Sequence, residues 1–196
     1  MDEKKAPLAG QATDGELIEL SKTNPEIFGL LMERYQGPLF HYIRRITQLP
    51  ADDVQDLLQE VFIKIYQKLN EYDVALKFSS WAYRIAHNHV VDYFRKVSAR
   101  QQTNALEDYE WEKIIQAGIQ IEKDIMNKDC VAKVKACIQE LPINYREVLI
   151  LRFVEEKDYE EIMDILRKPK GSVATLIARG KEMLAKKMKD KNINCF

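Results

Sequence analysis

Asp158-Tyr159-Glu160-Glu161-Ile162-Met163-Asp164-Ile165-Leu166, Lys168-Pro169-Lys170-Gly171 and Ser172-Val173 onward to Met188 spell a helix, a four-residue turn and a second helix. Asp158 followed three residues later by Glu161 matches a capping box, which sets the start of the first helix. Pro169 biases its predecessor out of the helical well and Gly171 tolerates a tight turn, so the first helix stops there. Ser172 is the expected cap of the second helix. On a helical wheel Val173, Leu176, Ile177, Gly180 and Leu184 face inward, while Ala174, Thr175, Ala178 and Arg179 face outward with Lys181 at the edge. Two helices joined by a short glycine-bearing turn form the unit that lays a helix in a DNA major groove. DNA is therefore the leading candidate partner.

The whole-chain charge of −1 and pI near 6.3 do not point to nucleic acid. The distribution does. Lys77, Arg84, Arg95, Lys96 and Arg100 stand against Asp92 alone, a balance of +4, and residues 167–191 carry +7. Between them, residues 101–125 carry −4. Two basic patches around an acidic stretch can hide in a neutral total, although solvated helix faces would give the same counts.

Across its 196 residues the chain is poor in Gly and Pro and shows almost no period-two alternation, which predicts an all-helical fold. Helices are expected near 14–23, 25–47, 52–70, 78–97, 127–140, 143–156, 158–167 and 172–190. Asp14 and the pair Asp52-Asp53 are the expected caps of the first and third, and Gly37-Pro38 should bend the second. Residues 98–126 have the weakest periodicity and the acidic bias. They read as a linker, with a short helix around Trp111, Ile114 and Ile115, between domains at 1–97 and 127–196.

Several function classes fall away. Cys130, Cys137 and Cys195 make neither a disulfide framework nor a metal motif, and the first two fit a shared apolar face better than a redox pair. His87 and His89 straddle Asn88 without a suitable carboxylate or cysteine partner and read as structural rather than as metal ligands. No nucleophile–base pair, phosphate loop or metal-ligand spacing is present, so no catalytic residue, metal or cofactor is expected. No apolar run reaches the length of a membrane span, and the start of the chain is not a secretory signal; the expected location is the cytoplasm.

Two further segments carry chemistry. In the helix from Asp56 to Leu69, Leu58, Val61, Phe62, Ile65 and Leu69 make one buried stripe, and Asp56, Gln59, Glu60, Ile63 and Gln67 lie opposite. A polar face centred on an isoleucine suits protein docking, or is an ordinary wet face with one stray Ile. From Lys77 to Lys96 aromatics alternate with cations, a mixture that suits unpaired DNA because rings stack on bases while Lys and Arg hold phosphates. The same segment would serve as a core helix with Trp81, Ile85 and Phe94 buried. Lys77, Asn88, Tyr93, Arg95 and Lys96 are the expected exposed positions, and Trp81 is expected to be at least partly core.

The order of these blocks resembles the extracytoplasmic-function sigma factors, small two-domain members of the bacterial sigma-70 family. Asp53-Val-Gln-Asp56-Leu-Leu-Gln-Glu60-Val-Phe-Ile-Lys-Ile-Tyr66 is similar to the family's polymerase-docking helix. Phe78-Ser-Ser-Trp81-Ala-Tyr-Arg84-Ile-Ala-His-Asn88 resembles its promoter-melting segment. Leu141-Pro142-Ile-Asn-Tyr145-Arg146-Glu147-Val148-Leu149, with Tyr159-Glu-Glu-Ile162 and Gly171-Ser-Val173, resembles its C-terminal promoter-reading domain. The likeness spans about 14–97 and 129–188, most of the chain.

The resemblance implies a non-enzymatic factor that works with RNA polymerase core (the β′ clamp helices and β) and promoter DNA. Asp53, Asp56, Gln59, Glu60, Ile63 and Tyr66 would meet the clamp helices. Lys77, Phe78, Trp81, Arg84, Asn88, Asp92, Tyr93, Arg95 and Lys96 would serve the −10 element, with Asn88 to Tyr93 forming a pocket for a flipped base. Extracting that base costs a few kcal/mol, which stacking and polar contacts offset. Ser172, Ala174, Thr175, Ala178, Arg179 and Lys181 would face the −35 element. The acidic linker would thread the polymerase channel. An anti-sigma factor would cover the docking face from Asp56 to Tyr66 and could hold the chain at the inner membrane without any insertion of its own.

One departure stands out. Family members often place Lys-Ser-Arg after the turn, where this chain has Ala174-Thr175-Leu176. Small side chains still allow close groove approach and contact with thymine methyls, but the usual basic base contacts do not carry over. Lys186, Lys187, Lys189 and Lys191 lie past the groove and are expected to touch phosphates. A stand-alone helix-turn-helix regulator would share the C-terminal unit but lack the docking and melting segments. A protein-binding helical adaptor would have no use for the basic tail.

Overall fold

The computed structural model describes residues 12–73, 76–100 and 128–193. Among them the chain is all-helical: α1 (Asp14–Thr23), α2 (Phe28–Thr47), α3 (Ala51–Gln67), α4 (Phe78–Arg100), α5 (Lys128–Gln139), α6 (Ile143–Phe153), α7 (Tyr159–Leu166) and α8 (Lys170–Asp190). Short 3₁₀ turns at Pro25–Ile27 and Leu69–Glu71 join the first helices. The helices α1 to α4 form one domain and α5 to α8 a second. The predicted linker helix at Trp111, Ile114 and Ile115 lies outside the described residues.

The first domain follows from amphipathic periodicity. On α3, Val54, Leu57, Leu58, Val61, Phe62 and Ile65 are all buried at helical spacing. They meet Leu31, Leu39, Tyr42 and Ile43 of α2 and Trp81, Ala82, Ala86 and Val90 of α4 in a single apolar cluster. Pro38 sits inside an uninterrupted α2, so the predicted bend does not split that helix.

Caps depart from the sequence expectations. Thr13, not Asp14, caps α1, accepting from the Glu16 amide at 3.3 Å while Glu16 accepts from the Thr13 amide at 2.8 Å. That exchange holds the Glu16 carboxyl below its usual pKa, with the Thr13 backbone bond the largest cause. The Asp14 carboxylate binds Arg34 and Tyr35 instead. Helix α3 begins at Ala51 behind Pro50, which leaves Asp52 and Asp53 in the first turn, where they favour the positive end of the helix dipole.

The helix-turn-helix forms with a different turn from the one expected. Asp158 and Glu161 make the capping box, with Glu161 N–H donating to Asp158 Oδ1 at 2.8 Å and Asp158 N–H to Glu161 Oε2 at 3.1 Å. The left-handed residue that ends α7 is Arg167 (φ 53°), not a glycine; its amide and that of Lys168 close on the Met163 carbonyl. Helix α8 then starts at Lys170 behind Pro169, so Gly171 and Ser172 lie within its first turn and Ser172 is not the cap. No side chain caps this end; the Ser172 amide turns back on the Pro169 carbonyl at 3.0 Å instead.

At Gly180 the α8 backbone meets α6, and an added Cβ would sit 3.2 Å from Leu149 Cγ, itself buried. A branched side chain there overpacks the domain, a cost of about 1–3 kcal/mol. Gly180→Val is therefore expected to lower the urea midpoint of the chain. An unchanged midpoint would show that α6 and α8 can move apart freely.

Candidate nucleic-acid interface

Asp53, Asp56, Gln59, Glu60, Ile63 and Tyr66 are all exposed, and they line the side of α3 opposite its buried stripe. Ile63 is 56% exposed, and Tyr66 lies 5.1 Å from the Phe28 ring, which steadies it at the end of the row. The face is an apolar anchor flanked by carboxylates, a composition suited to a protein groove with a cationic rim.

Helix α4 divides its −10 candidates into two groups. Asn88, Arg95 and Lys96 are exposed, Asp92 and Tyr93 half-buried, and Arg95 pairs with Asp92 at 3.0 Å. Phe78 and Trp81 are both buried, which bears out the core expectation for Trp81 and corrects the direct −10 contact given to the pair; the Trp81 ring lies 5.2 Å from Tyr72 and 5.7 Å from Phe78. They build the aromatic core under α4 and cannot stack on a base from there. Arg84 is engaged with Asp164, and Lys77 with Asp158 at 3.4 Å and Glu161 at 3.7 Å. Lys77 stays exposed, and its pKa is raised chiefly by the Glu161 charge. The same neighbourhood, with the Glu161 amide as the leading cause, lowers the Asp158 carboxyl.

The histidines are structural, with partners that only the fold supplies. His87 Nδ1 lies 2.6 Å from Glu147. His89 is buried between α3 and α4, with Lys64 Nζ 2.7 Å from its Nδ1 and Glu60 Oε2 3.1 Å from its Nε2, though not in hydrogen-bond geometry. Burial first, then the Lys64 charge, lowers its pKa. Lys64 can only donate, so Nδ1 accepts and the neutral ring carries its proton on Nε2, facing Glu60. This link between α3 and α4 was not legible in sequence, because Glu60 and His89 are far apart along the chain.

On α8 the wheel holds. Ser172, Ala174, Thr175, Ala178, Arg179 and Lys181 are exposed, Val173, Ile177 and Gly180 are buried, and Leu176 and Leu184 are half-buried against the core. The Thr175 hydroxyl donates to the Gly171 carbonyl at 2.8 Å. Lys181 rests over the Phe153 ring at 5.0 Å, at the margin of the face. Lys187 and Lys191 reach Glu140, just past the end of α5. Exposed pairs of this kind are worth about 0–1 kcal/mol and exchange readily for phosphate.

Comparison with known proteins decides what these surfaces belong to. Residues 31–100 match the model of Sigma-70 region 2, and residues 132–184 that of Sigma-70, region 4. The ECF RNA polymerase sigma-E factor of Escherichia coli (strain K12) is 30% identical over 187 residues, covering 92% of this chain and 97% of that protein. The chain belongs to the ECF RNA polymerase sigma factors. The sigma factor is also 29% identical to the ECF factor SigW of Bacillus subtilis (strain 168) over 179 residues, 88% of this chain and 94% of SigW. Its fold is that of CnrH, solved with the cytosolic domain of CnrY (TM-score 0.64, 21% identity, 90% of this chain and 97% of CnrH). The sigma factor RpoE of Bartonella quintana, solved with the anti-sigma factor NepR, shares it too (TM-score 0.62, 16% identity, 83% and 96% covered). As a sigma factor the chain binds RNA polymerase core, recognises −35 and −10 promoter elements and promotes the DNA melting that initiates transcription. No helix among the described residues is long and apolar enough to cross a membrane.

Proposed function

We propose that the sigma factor docks on the β′ clamp helices through Asp53, Asp56, Gln59, Glu60, Ile63 and Tyr66. It melts the −10 element with the Asn88 to Lys96 stretch of α4 and reads the −35 duplex with the Ala174, Thr175, Ala178 and Arg179 face of α8. The domains are 1–97 and 127–196, joined by an acidic linker at 98–126 that passes through the polymerase. One observation carries this reading: α3 and α4 share one apolar core and Lys64 on α3 bonds His89 on α4, so the exposed face of α3 and the open part of α4 are packed as a unit. A helix fixed on the polymerase clamp then presents Asn88, Arg95 and Lys96 to DNA at a set position. The role is regulatory and non-catalytic, exercised in the cytoplasm.

An anti-sigma factor is the expected regulator, covering α3 from Asp56 to Tyr66; the two solved relatives above were each captured with a partner protein. Such a partner, when membrane-bound, would hold the sigma factor at the inner membrane.

Asn88 tests the −10 assignment. It is exposed at the start of the open part of α4, and Asn88→Ala removes hydrogen-bonding capacity without touching the core. With holoenzyme and a promoter carrying 2-aminopurine in the −10 element, the parent should give a fluorescence rise as the base leaves the stack. The variant is expected to slow that rise about tenfold, the worth of one polar or stacking contact to an unpaired base. Equal rates would remove Asn88 from the pocket.

A further inference from the structure

Glu60 and Lys64 stand one helical turn apart on α3, and His89, Asp92 and Lys96 follow one another at three and four residues on α4. The two rows meet at His89, whose ring is buried. Lys64 Nζ lies 2.7 Å from its Nδ1 and Glu60 Oε2 lies 3.1 Å from its Nε2. Asp92 and Lys96 act on the ring through their charges, the acid favouring its protonation and the cation opposing it. His89 thus has neighbours from both proposed surfaces: Glu60 from the docking face, Asp92 and Lys96 from the DNA face.

We infer that neutral His89 is a positioning residue for promoter opening: by accepting from Lys64 it holds the open stretch of α4 on α3, and a proton taken up at its Nδ1 releases that hold and slows the opening. The inference rests on the −10 role of α4 proposed above. Its chemistry is one change of donor for acceptor. An ammonium has no lone pair, so Nδ1 takes the Lys64 bond only while it carries no proton. Protonation makes that nitrogen a donor and sets two cations face to face against a buried ring, so Lys64 must swing away. The imidazolium then has Glu60 as its partner, and a carboxylate drawn to the ring is drawn away from the docking face. Burial first, then the Lys64 charge, holds the His89 pKa below its ordinary value of 6.5. The Lys64 bond is therefore complete at neutral pH and is lost as the pH falls through that lowered value. An apolar side chain here would pack α4 on α3 without answering to a proton; histidine is the side chain whose ordinary titration lies in this range.

The test is a pH profile of opening by the holoenzyme on the 2-aminopurine promoter, from about pH 7.5 to about pH 5.5, with core in excess so that docking is complete throughout. Core and DNA titrate as well, so each variant is read against the parent on the same core and promoter. His89→Gln offers an acceptor to Lys64 and a donor to Glu60 but takes up no proton. Over this range the parent's rate is expected to fall about fivefold more than that of His89→Gln, the worth of one hydrogen bond. Lys64→Met removes the donor instead, and should open slowly at every pH with a flattened profile. If circular dichroism shows His89→Gln unfolded, Lys64→Met decides by the same flattening. A parent fall that neither variant flattens would overturn the inference. The −10 assignment of α4 then still stands where Asn88→Ala slows the opening, and falls with the inference where Asn88→Ala does not.

Discussion

Ile63→Asp is expected to abolish binding to RNA polymerase core while leaving the thermal unfolding of the free sigma factor nearly unchanged. The two halves of that expectation have separate causes. Ile63 is 56% exposed on a helix whose opposite face forms the core, so the substitution opens no cavity and buries no charge in the free chain. Exposed substitutions of this kind stay within about 0.5 kcal/mol. In the proposed complex the same side chain would be the apolar centre of an otherwise acidic and polar face, flanked by Asp56, Gln59 and Glu60. An apolar anchor desolvated at the middle of an interface is worth about 2–4 kcal/mol, and a carboxylate in its place must also be stripped of water. At about 1.4 kcal/mol per tenfold, core affinity should fall by two orders of magnitude or more. Gln67→Ala, at the exposed end of the same face, should change it by no more than about twofold, as rim positions do. Fluorescence anisotropy of labelled sigma factor titrated with core separates the two. Parent-like affinity for Ile63→Asp would place the contact elsewhere on the chain.

Trp81→Ala is expected to fail for a different reason: the first domain loses its core. Trp81 is 5% exposed and packs among Tyr72 and Phe78, with Tyr72 and Tyr35 edge-on to the Phe78 ring. Truncating a buried tryptophan costs about 3–5 kcal/mol. Against a total of about 5–15 kcal/mol, that leaves the domain marginal at best. Urea unfolding followed by far-UV circular dichroism should show a large drop in midpoint. Trp81→Phe, which keeps an aromatic ring in place, should recover most of it and with it transcription. A Trp81→Ala chain as stable as the parent yet unable to open promoters would restore the stacking role that its burial contradicts.

Sequence periodicity located the helices because burial here follows simple amphipathic stripes. Val54 to Ile65 on α3 and Val173, Ile177 and Gly180 on α8 are buried where a 3.6-residue repeat puts them. The exposed faces of α3 and α8, proposed above for docking and −35 reading, were legible for the same reason, being the remainder of those wheels. What did not follow from sequence was set by through-space pairing. A local signal did mark Thr13 over Asp14, since Thr13 with Glu16 three residues on is a capping box; what only the fold shows is that Asp14 is bound to Arg34 and Tyr35. Arg84 and Lys77 look like free cations until α7 is laid against α4. One signal was available in advance: the cationic residues at 77 and 84 and the acids at 158, 161 and 164 form two stripes of opposite charge on separate helices. His87 and His89 likewise find Glu147 and Glu60 only in the fold, so the sequence showed them as structural without showing what holds them. Phe78 and Trp81 misled because aromatic residues among cations read equally well as base-stacking or as core. Here the core claims them.

The most direct test is run-off transcription from a promoter library with purified polymerase core, with and without this sigma factor. Transcripts that require the chain, disappear with Ile63→Asp and weaken with Asn88→Ala are the expected result, and their start sites give the −10 and −35 sequences it reads. A chain that binds core through α3 yet starts no transcript at any promoter would contradict the assignment of α4 to promoter opening.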